Sequence, residues 1–333
     1  TPRDSIAFAT AQWRTADLGG GAECRYAQID MFGSRQSISV ATYPGRRFTT
    51  SIVHLDRRAE STSDLGKAAG AEIAVNGSYF NVKTFEPVTF VLLDRKIVGR
   101  TTPEEAFRTN GVIAFKDRKG RRMEIFLCDT TQYADVARRY RSALAAGPVL
   151  VRDGRSVEYD SEDSFYTRRH PRTLIGKRAD GTVVMAVIDG RFKGQADGTT
   201  IAETAYIARQ LGLVDALNLD GGGSTAAGVT YPGYASGATA NVPSDGKLRE
   251  CANFIFLVRQ KQDAGTASKL YLYPFGGYAL PGAKISLTVK AADNSYMAAA
   301  VPTNVTFGGT NVTQTSGSTV TVEPGARGAA TVT

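Results

Sequence analysis

Histidine and cysteine are scarce in this sequence. Its 333 residues include two histidines, His54 and His170, and three cysteines, Cys24, Cys128 and Cys251. The shortage excludes a zinc ribbon, a cysteine-rich disulfide scaffold and a histidine-rich dimetal hydrolase. An odd cysteine count leaves at least one thiol without an intramolecular partner, and the wide spacing is compatible with export. Long apolar runs are missing too: none approaches the ~18 residues of a membrane-spanning helix. Chemistry here must rest on oxygen ligands, carboxylates and arginines.

Charge is present and unbalanced. Lys plus Arg number 40 against 32 Asp plus Glu, a net charge of +8. The cations cluster at Arg118, Lys119, Arg121 and Arg122, at Arg138, Arg139 and Arg141, and at Arg168, Arg169 and Arg172. None of these runs is interleaved with aromatics at a nucleic-acid-binding spacing, so nucleic acid is not an expected partner. The first reads as a hairpin turn and the second as the wet face of a helix. The third belongs with the site described below.

Hydrophobic residues at 42% and charged residues at 22% are those of a globular chain, which excludes wholesale disorder. The length is about twice the ~150-residue prior for one domain, so two domains are expected. Composition places the boundary. After the polar stretch Arg259 to Gly265, residues 266–333 carry only four basic and two acidic residues and are rich in Thr, Val, Ser, Gly and Ala. Strands are predicted at Lys269–Tyr273, Lys284–Ala291, Val305–Phe307, Thr319–Val322 and Ala329–Thr333. With the turn Pro281-Gly282-Ala283 they resemble the bacterial immunoglobulin-like sandwich modules appended to exported enzymes. The expected division is 1–262 and 266–333, the second an accessory domain whose last strand is cut short. The absence of an initial methionine or apolar leader reads as a trimmed, mature chain.

The large domain is expected to be α+β, a mixed β-sheet with few helices. Helices are predicted at Thr62–Ala71, at Tyr133–Ala146 with Gly147 as its stop, and at Thr200–Leu211. In the last, Thr200 and Glu203 have capping-box spacing, and Ile201, Ala205, Ala208 and Leu211 form one apolar face. Strand patterns surround them, among them Glu72–Val75, Val88–Leu93, Lys96–Gly99, Gly111–Lys116, Met123–Cys128, Thr173–Lys177, Thr182–Ile188 and Val214–Leu219.

The strongest chemical signal lies on the unit from Val183 to Leu219. One strand ends in Asp189-Gly190-Arg191 and the other in Asp220-Gly221-Gly222-Gly223-Ser224-Thr225. A helical crossover makes the two strands parallel and puts both aspartates at one sheet edge, where open sheets place ligands. Two carboxylates in one cleft are the minimum equipment for acid/base or nucleophilic work on a glycosidic bond. A two-residue loop at Asp180-Gly181 sets Arg172 opposite Asp189, where it would hold that carboxylate ionised or clamp a phosphate. Three successive glycines can converge their N–H groups on an anion, with the Ser224 and Thr225 hydroxyls beside them. No lysine follows, so this is not a Walker A loop, and no final glycine makes it a nucleophile elbow. Asn76-Gly77-Ser78-Tyr79-Phe80-Asn81 offers amides and an aromatic face for a sugar ring, with Asn76 and Asn81 as candidates. His170 is a candidate through its nearness to Arg172.

These segments, with Gly147-Pro148-Val149-Leu150-Val151 and Arg172-Thr173-Leu174-Ile175-Gly176, occur in an order that resembles the phosphodiester glycosidase family. Asn241-Val242-Pro243 followed by Arg249-Glu250-Cys251-Ala252-Asn253 resembles its closing, arginine-containing strand. The likeness spans most of residues 1–260, and Leu219-Asp220-Gly221-Gly222-Gly223-Ser224 is its most specific part. Ser78-Tyr79 stands where the family usually shows glycine and phenylalanine. The animal member removes N-acetylglucosamine from a phosphodiester link on lysosomal glycoproteins.

The resemblance implies hydrolysis of a sugar-1-phosphodiester in a secreted, periplasmic or cell-surface setting. The expected catalytic residues are Asp189, Asp220 and Arg172. Asn76, Asn81, His170, Arg191, Gly221, Gly222, Gly223, Ser224, Thr225 and Arg249 would hold the sugar and phosphate. The expected partner is a phosphorylated sugar or glycan, and the accessory domain is a candidate to contact cell-surface glycan or protein. No cofactor is required, although Ca²⁺ or Mg²⁺ at the aspartates stays open. The alternatives are a noncatalytic sugar-phosphate binding protein and a carboxylate-metal phosphodiesterase.

Overall fold

Long hairpins open the fold. The strands Ala22–Met31 and Ser34–Pro44 turn at Phe32-Gly33, both residues at positive φ. The computed structural model describes residues 1–259, 265–274 and 279–333. An eight-stranded sheet runs in the order Arg14–Gly19, Ala22–Met31, Ser34–Pro44, Thr182–Ile188, Arg172–Lys177, Asp215–Asn218, Val149–Arg152, Arg155–Ser156. A five-stranded sheet joins Met123–Leu127, Gly111–Phe115, Ser142–Ala146, Val91–Leu93 and Lys96–Gly99. Another joins Ala238–Thr239, Ala227–Val229, Ile73–Asn76, Asn253–Val258 and Thr49–His54. The domain is α+β, dominated by sheet, and each of these neighbouring pairs is antiparallel.

Alternation sorts the side chains of the large sheet between two cores. Val183, Met185 and Val187 face the two smaller sheets, meeting Ile113, Leu144, Val75 and Ile255. Val184, Ala186 and Ile188 face the helix Ile201–Gln210, through Ile201, Ala205 and Ala208. That helix carries the expected capping box, with Glu203 N donating to Thr200 Oγ1 at 3.1 Å and Thr200 N to Glu203 Oε2 at 3.0 Å. A further capping box, between Thr1 and Asp4, starts a helix at Pro2–Ala9 that packs on the same core through Phe8.

One helix is shorter than its sequence suggests. It ends at Arg139, and Ser142–Ala146 is a strand between Gly111–Phe115 and Val91–Leu93. Alanine and leucine favour helix in isolation, but Ala143 to Ala146 are buried on both faces of a sheet, and packing overrides propensity. Gly147 therefore follows a strand rather than closing a helix.

After residue 265, Lys269–Tyr273, Thr288–Ala292 and Ala298–Ala299 form one small sheet, and Lys284–Ser286, Thr319–Val322 and Val312–Ser316 another. Gly309–Thr310 pairs with Thr331–Val332, while Val305–Phe307 is not a strand. Residues 260–264, most of the polar stretch read as a linker, lie outside the described residues.

The cap at Thr200 is a local contribution to stability. Thr200→Ala is expected to cost about 1 kcal/mol, read as a lower urea midpoint at unchanged slope.

Candidate active site

Asn76 ends its strand at the meeting point of the sheets, 1% exposed. Its Nδ2 donates to the Asp220 carbonyl at 2.7 Å. Its Oδ1 accepts from Thr173 Oγ1 at 2.8 Å and from Ala226 N at 3.1 Å. One amide thus grips both ends of the 220–226 loop and ties them to the central strand of the large sheet. Expected to touch sugar, Asn76 is instead committed to the protein. Asn81 also departs from expectation: it is exposed, and its Oδ1 accepts from Lys83 N and Thr84 N within a turn.

A second polar layer lies beneath. Tyr79 Oη donates to the Gly147 carbonyl at 2.6 Å, and Asn218 Nδ2 donates to the same carbonyl at 2.9 Å. Ser78 N donates to Asn253 Oδ1 at 2.5 Å. Asp220 N donates to the Gly77 carbonyl at 2.9 Å, which fixes the aspartate at the end of its strand.

The strands that end in Asp189 and Asp220 are parallel, as expected, but the Arg172 strand lies between them. Their chains are therefore about two strand spacings apart, ~9–10 Å. The hairpin register also differs by one residue. Gly181 at φ +84° makes a three-residue loop, and Arg178 N donates to the Thr182 carbonyl at 2.8 Å. Arg172 consequently pairs with Ile188 rather than Asp189. A one-residue shift sends the two side chains to opposite faces.

Arg172 points to the helix side, 1% exposed. Nε donates to the Thr199 carbonyl at 2.9 Å, and Nη2 to those of Phe165 and Arg168 at 2.7 and 3.2 Å. Burial pulls its pKa down to about 10. Asp189, on the other face, accepts from Ser37 Oγ at 2.9 Å, Asn241 Nδ2 at 3.0 Å and Val242 N at 3.3 Å. The expected Arg172–Asp189 pair is absent, and burial raises the Asp189 pKa although these three donors oppose it.

Asp220 stands apart. Gly221 N donates to its Oδ1 at 2.8 Å. Burial raises its pKa, against the Ser224 hydroxyl, the Gly221 amide and the fields of Arg108 and Arg249. The glycines after it form a 3-10 turn rather than an open nest. Gly221 N is held by Asp220 and Gly222 N by the Pro171 carbonyl at 2.9 Å, so neither is a free anion donor. Gly223 N has no partner among the described residues, and the buried Thr225 hydroxyl has none either, while the buried Ser224 hydroxyl lies against the Asp220 carboxylate. A Cβ at Gly223 would overlap the Asp245 carboxylate and the Arg249 guanidinium, so only glycine lets that pair close over the loop. Arg249 Nη2 bonds Asp245 at 2.7 Å, and Arg191 Nη1 lies 3.6 Å from the same carboxylate.

The structure therefore brings Asp220, Gly221 to Thr225, Arg191 and Arg249 together around one loop. His170 stands beside them through its backbone, bonded to Thr199, and burial lowers its pKa. Sequence reasoning missed Asp245 and Arg108. The Asp245–Arg249 pair forms across a turn rather than along a helix, so its i,i+4 spacing gave no signal. Arg108 has Glu105 and Phe107 nearby in sequence, but its contacts with Tyr79 and Phe165 come from distant segments.

A family model for phosphodiester glycosidase matches residues 69–258. The mouse N-acetylglucosamine-1-phosphodiester alpha-N-acetylglucosaminidase is 26% identical over 200 residues, 57% of this chain. The chain spans 36% of that relative's length. The zebrafish catalytic domain of the same name, auto-inhibited by its pro-peptide, has a TM-score of 0.55 at 18% identity, covering 76% of this chain and 89% of that one. A hypothetical protein from Synechocystis gives 0.55 at 15%, covering 74% and 63%. At these identities the solved structures show a shared fold.

The Asn76 grip can be tested directly. Asn76→Ala strands buried partners at both ends of the loop and is expected to cost on the order of 2–3 kcal/mol in chemical denaturation. Amide exchange should rise at Asp220 to Ala226 more than in the Ile201–Gln210 helix.

Proposed function

The chain belongs to the phosphodiester glycosidase family, and on that premise we propose that it hydrolyses the glycosidic bond of a sugar-1-phosphodiester. The sugar to try first is N-acetylglucosamine, which the names of the mouse and zebrafish relatives carry. Asp220 carries the reading. It is the site carboxylate with a raised pKa that is not enclosed by three protein donors, and it opens the family's most specific segment.

Asp220 acts as the base. It takes a proton from water as the water oxygen bonds to the anomeric carbon and the bond from that carbon to the phosphate oxygen breaks. The electron pair leaves with the phosphate, which departs as an already stabilised monoester anion and needs little help from a general acid. Gly223 N is the loop donor left for the substrate. Asp189 holds the Asn241–Val242 segment against the sheet. Its three N–H and O–H donors are the wrong surroundings for a cation, so turnover should survive EDTA.

Residues 266–333 form, in this reading, an immunoglobulin-like accessory module of a secreted or envelope enzyme. Protease cleavage within 260–264 should release two stable fragments, and rapid loss of the smaller one would count against the module. Cell fractionation tests the location, for which a cytoplasmic result is the adverse one. No described helix is long and apolar enough to cross a membrane.

The central test uses the methyl phosphodiester of N-acetylglucosamine-1-phosphate. Asp220→Asn is expected to lower kcat/KM by ~10²–10⁴-fold. A raised pKa means the ionised side chain costs stability above the ordinary carboxylate range, so this variant should keep or raise Tm. In the wild type, kcat/KM should fall as pH drops through a pKa above the usual ~3.9, because a base must be deprotonated. Full activity in Asp220→Asn would sink the assignment. Absence of wild-type turnover across several sugars would favour a binding role.

A further inference from the structure

Two of the arginines expected to hold phosphate are engaged elsewhere. Arg172 is buried among three backbone carbonyls, and Arg249 is closed onto Asp245. Arg108 presents a different picture. Its side chain is 24% exposed. Its guanidinium lies 4.0 Å from the Tyr79 ring centroid, 5.2 Å from that of Phe165 and 5.6 Å from that of Phe107. Nε donates to Glu105 Oε2 at 2.6 Å, and the two Nη atoms have no hydrogen-bond partner among the described residues.

We propose that Arg108 is the residue that grips the phosphate of the substrate, through the Nη1–Nη2 edge that its pairing with Glu105 leaves open. The proposal rests on the reading of this site as a phosphodiester glycosidase and deepens it.

A guanidinium offers two edges, each matched to a pair of anionic oxygens. Glu105 takes only the Nε side. Three aromatic rings fix the plane of the group, so little side-chain freedom is lost when an anion binds. The backbone is fixed as well, since a Cβ on Gly147 would overlap the Arg108 carbonyl and glycine alone permits that contact. The same Gly147 accepts from Tyr79 Oη and Asn218 Nδ2. Arg108 is thus held against the layer that supports Asp220, near enough for its charge to oppose the rise in that carboxyl's pKa. Exposed Phe107, at 53%, provides an apolar rim for the group on the far side of the phosphate.

The experiment compares wild type, Arg108→Gln and Arg108→Lys. It reads the KM of the methyl phosphodiester, and the inhibition constants of inorganic phosphate and of free N-acetylglucosamine. Loss of a charge-assisted pair should raise the KM and the phosphate constant about 10–100-fold in Arg108→Gln. The constant for the free sugar should stay within about twofold, and Arg108→Lys should fall between, because it restores charge without the fork. Unchanged phosphate inhibition, or equal weakening of phosphate and sugar, would overturn the assignment. If wild type turns over no diester, the functional reading fails by itself. Calorimetry of inorganic phosphate with wild type and Arg108→Gln then still decides the role of Arg108.

Discussion

A single carboxamide organises the centre of this molecule. Asn76 belongs to one five-stranded sheet, accepts from Thr173 on the eight-stranded sheet, and holds both the carbonyl of Asp220 and the amide of Ala226. A flexible run of glycines between two sheets would sample many conformations, with a large entropic cost to fixing it. Fastening the two ends to one side chain reduces that freedom. The turn at Gly222–Ser224 and the ion pair above it then need to order only a short arc. The position of the Asp220 carboxylate follows from how the sheets meet.

Face alternation separates two aspartates that look equivalent in sequence. Both end strands that run in the same direction, yet their surroundings are unlike. Asp189 is enclosed by three donors between the sheet and the Asn241–Val242 segment. Asp220 is met by the Gly221 amide and the Ser224 hydroxyl, within the fields of Arg108 and Arg249. Burial raises both pKa values, against different sets of donors. The arginines divide likewise, into a buried one that holds backbone carbonyls and others set around the loop.

Much of this was legible in the chain. The Thr200 capping box, the apolar face of the helix behind it and the Leu219 to Ser224 segment are local patterns, and local patterns survive folding. The errors came where distant segments decide. Ser142–Ala146 has helical composition, but two flanking strands make it a strand. The Asp180-Gly181 turn looked like a two-residue loop, and one extra residue moved Arg172 to the other face. Arg108 was invisible because two of the rings around it come from positions 79 and 165, and only the fold brings those to it.

The pairing of Asn253–Val258 with both Thr49–His54 and Ile73–Asn76 has a consequence for synthesis. The strand beside Asn76 is among the last of the large domain to leave the ribosome, some two hundred residues after its partners. Until it docks, the Asn76 strand lacks one neighbour and Ser78 lacks its Asn253 acceptor. Contacts so far apart in sequence fold slowly. The contacts around Asn76 and Ser78 are therefore complete only once the chain has been made through Val258.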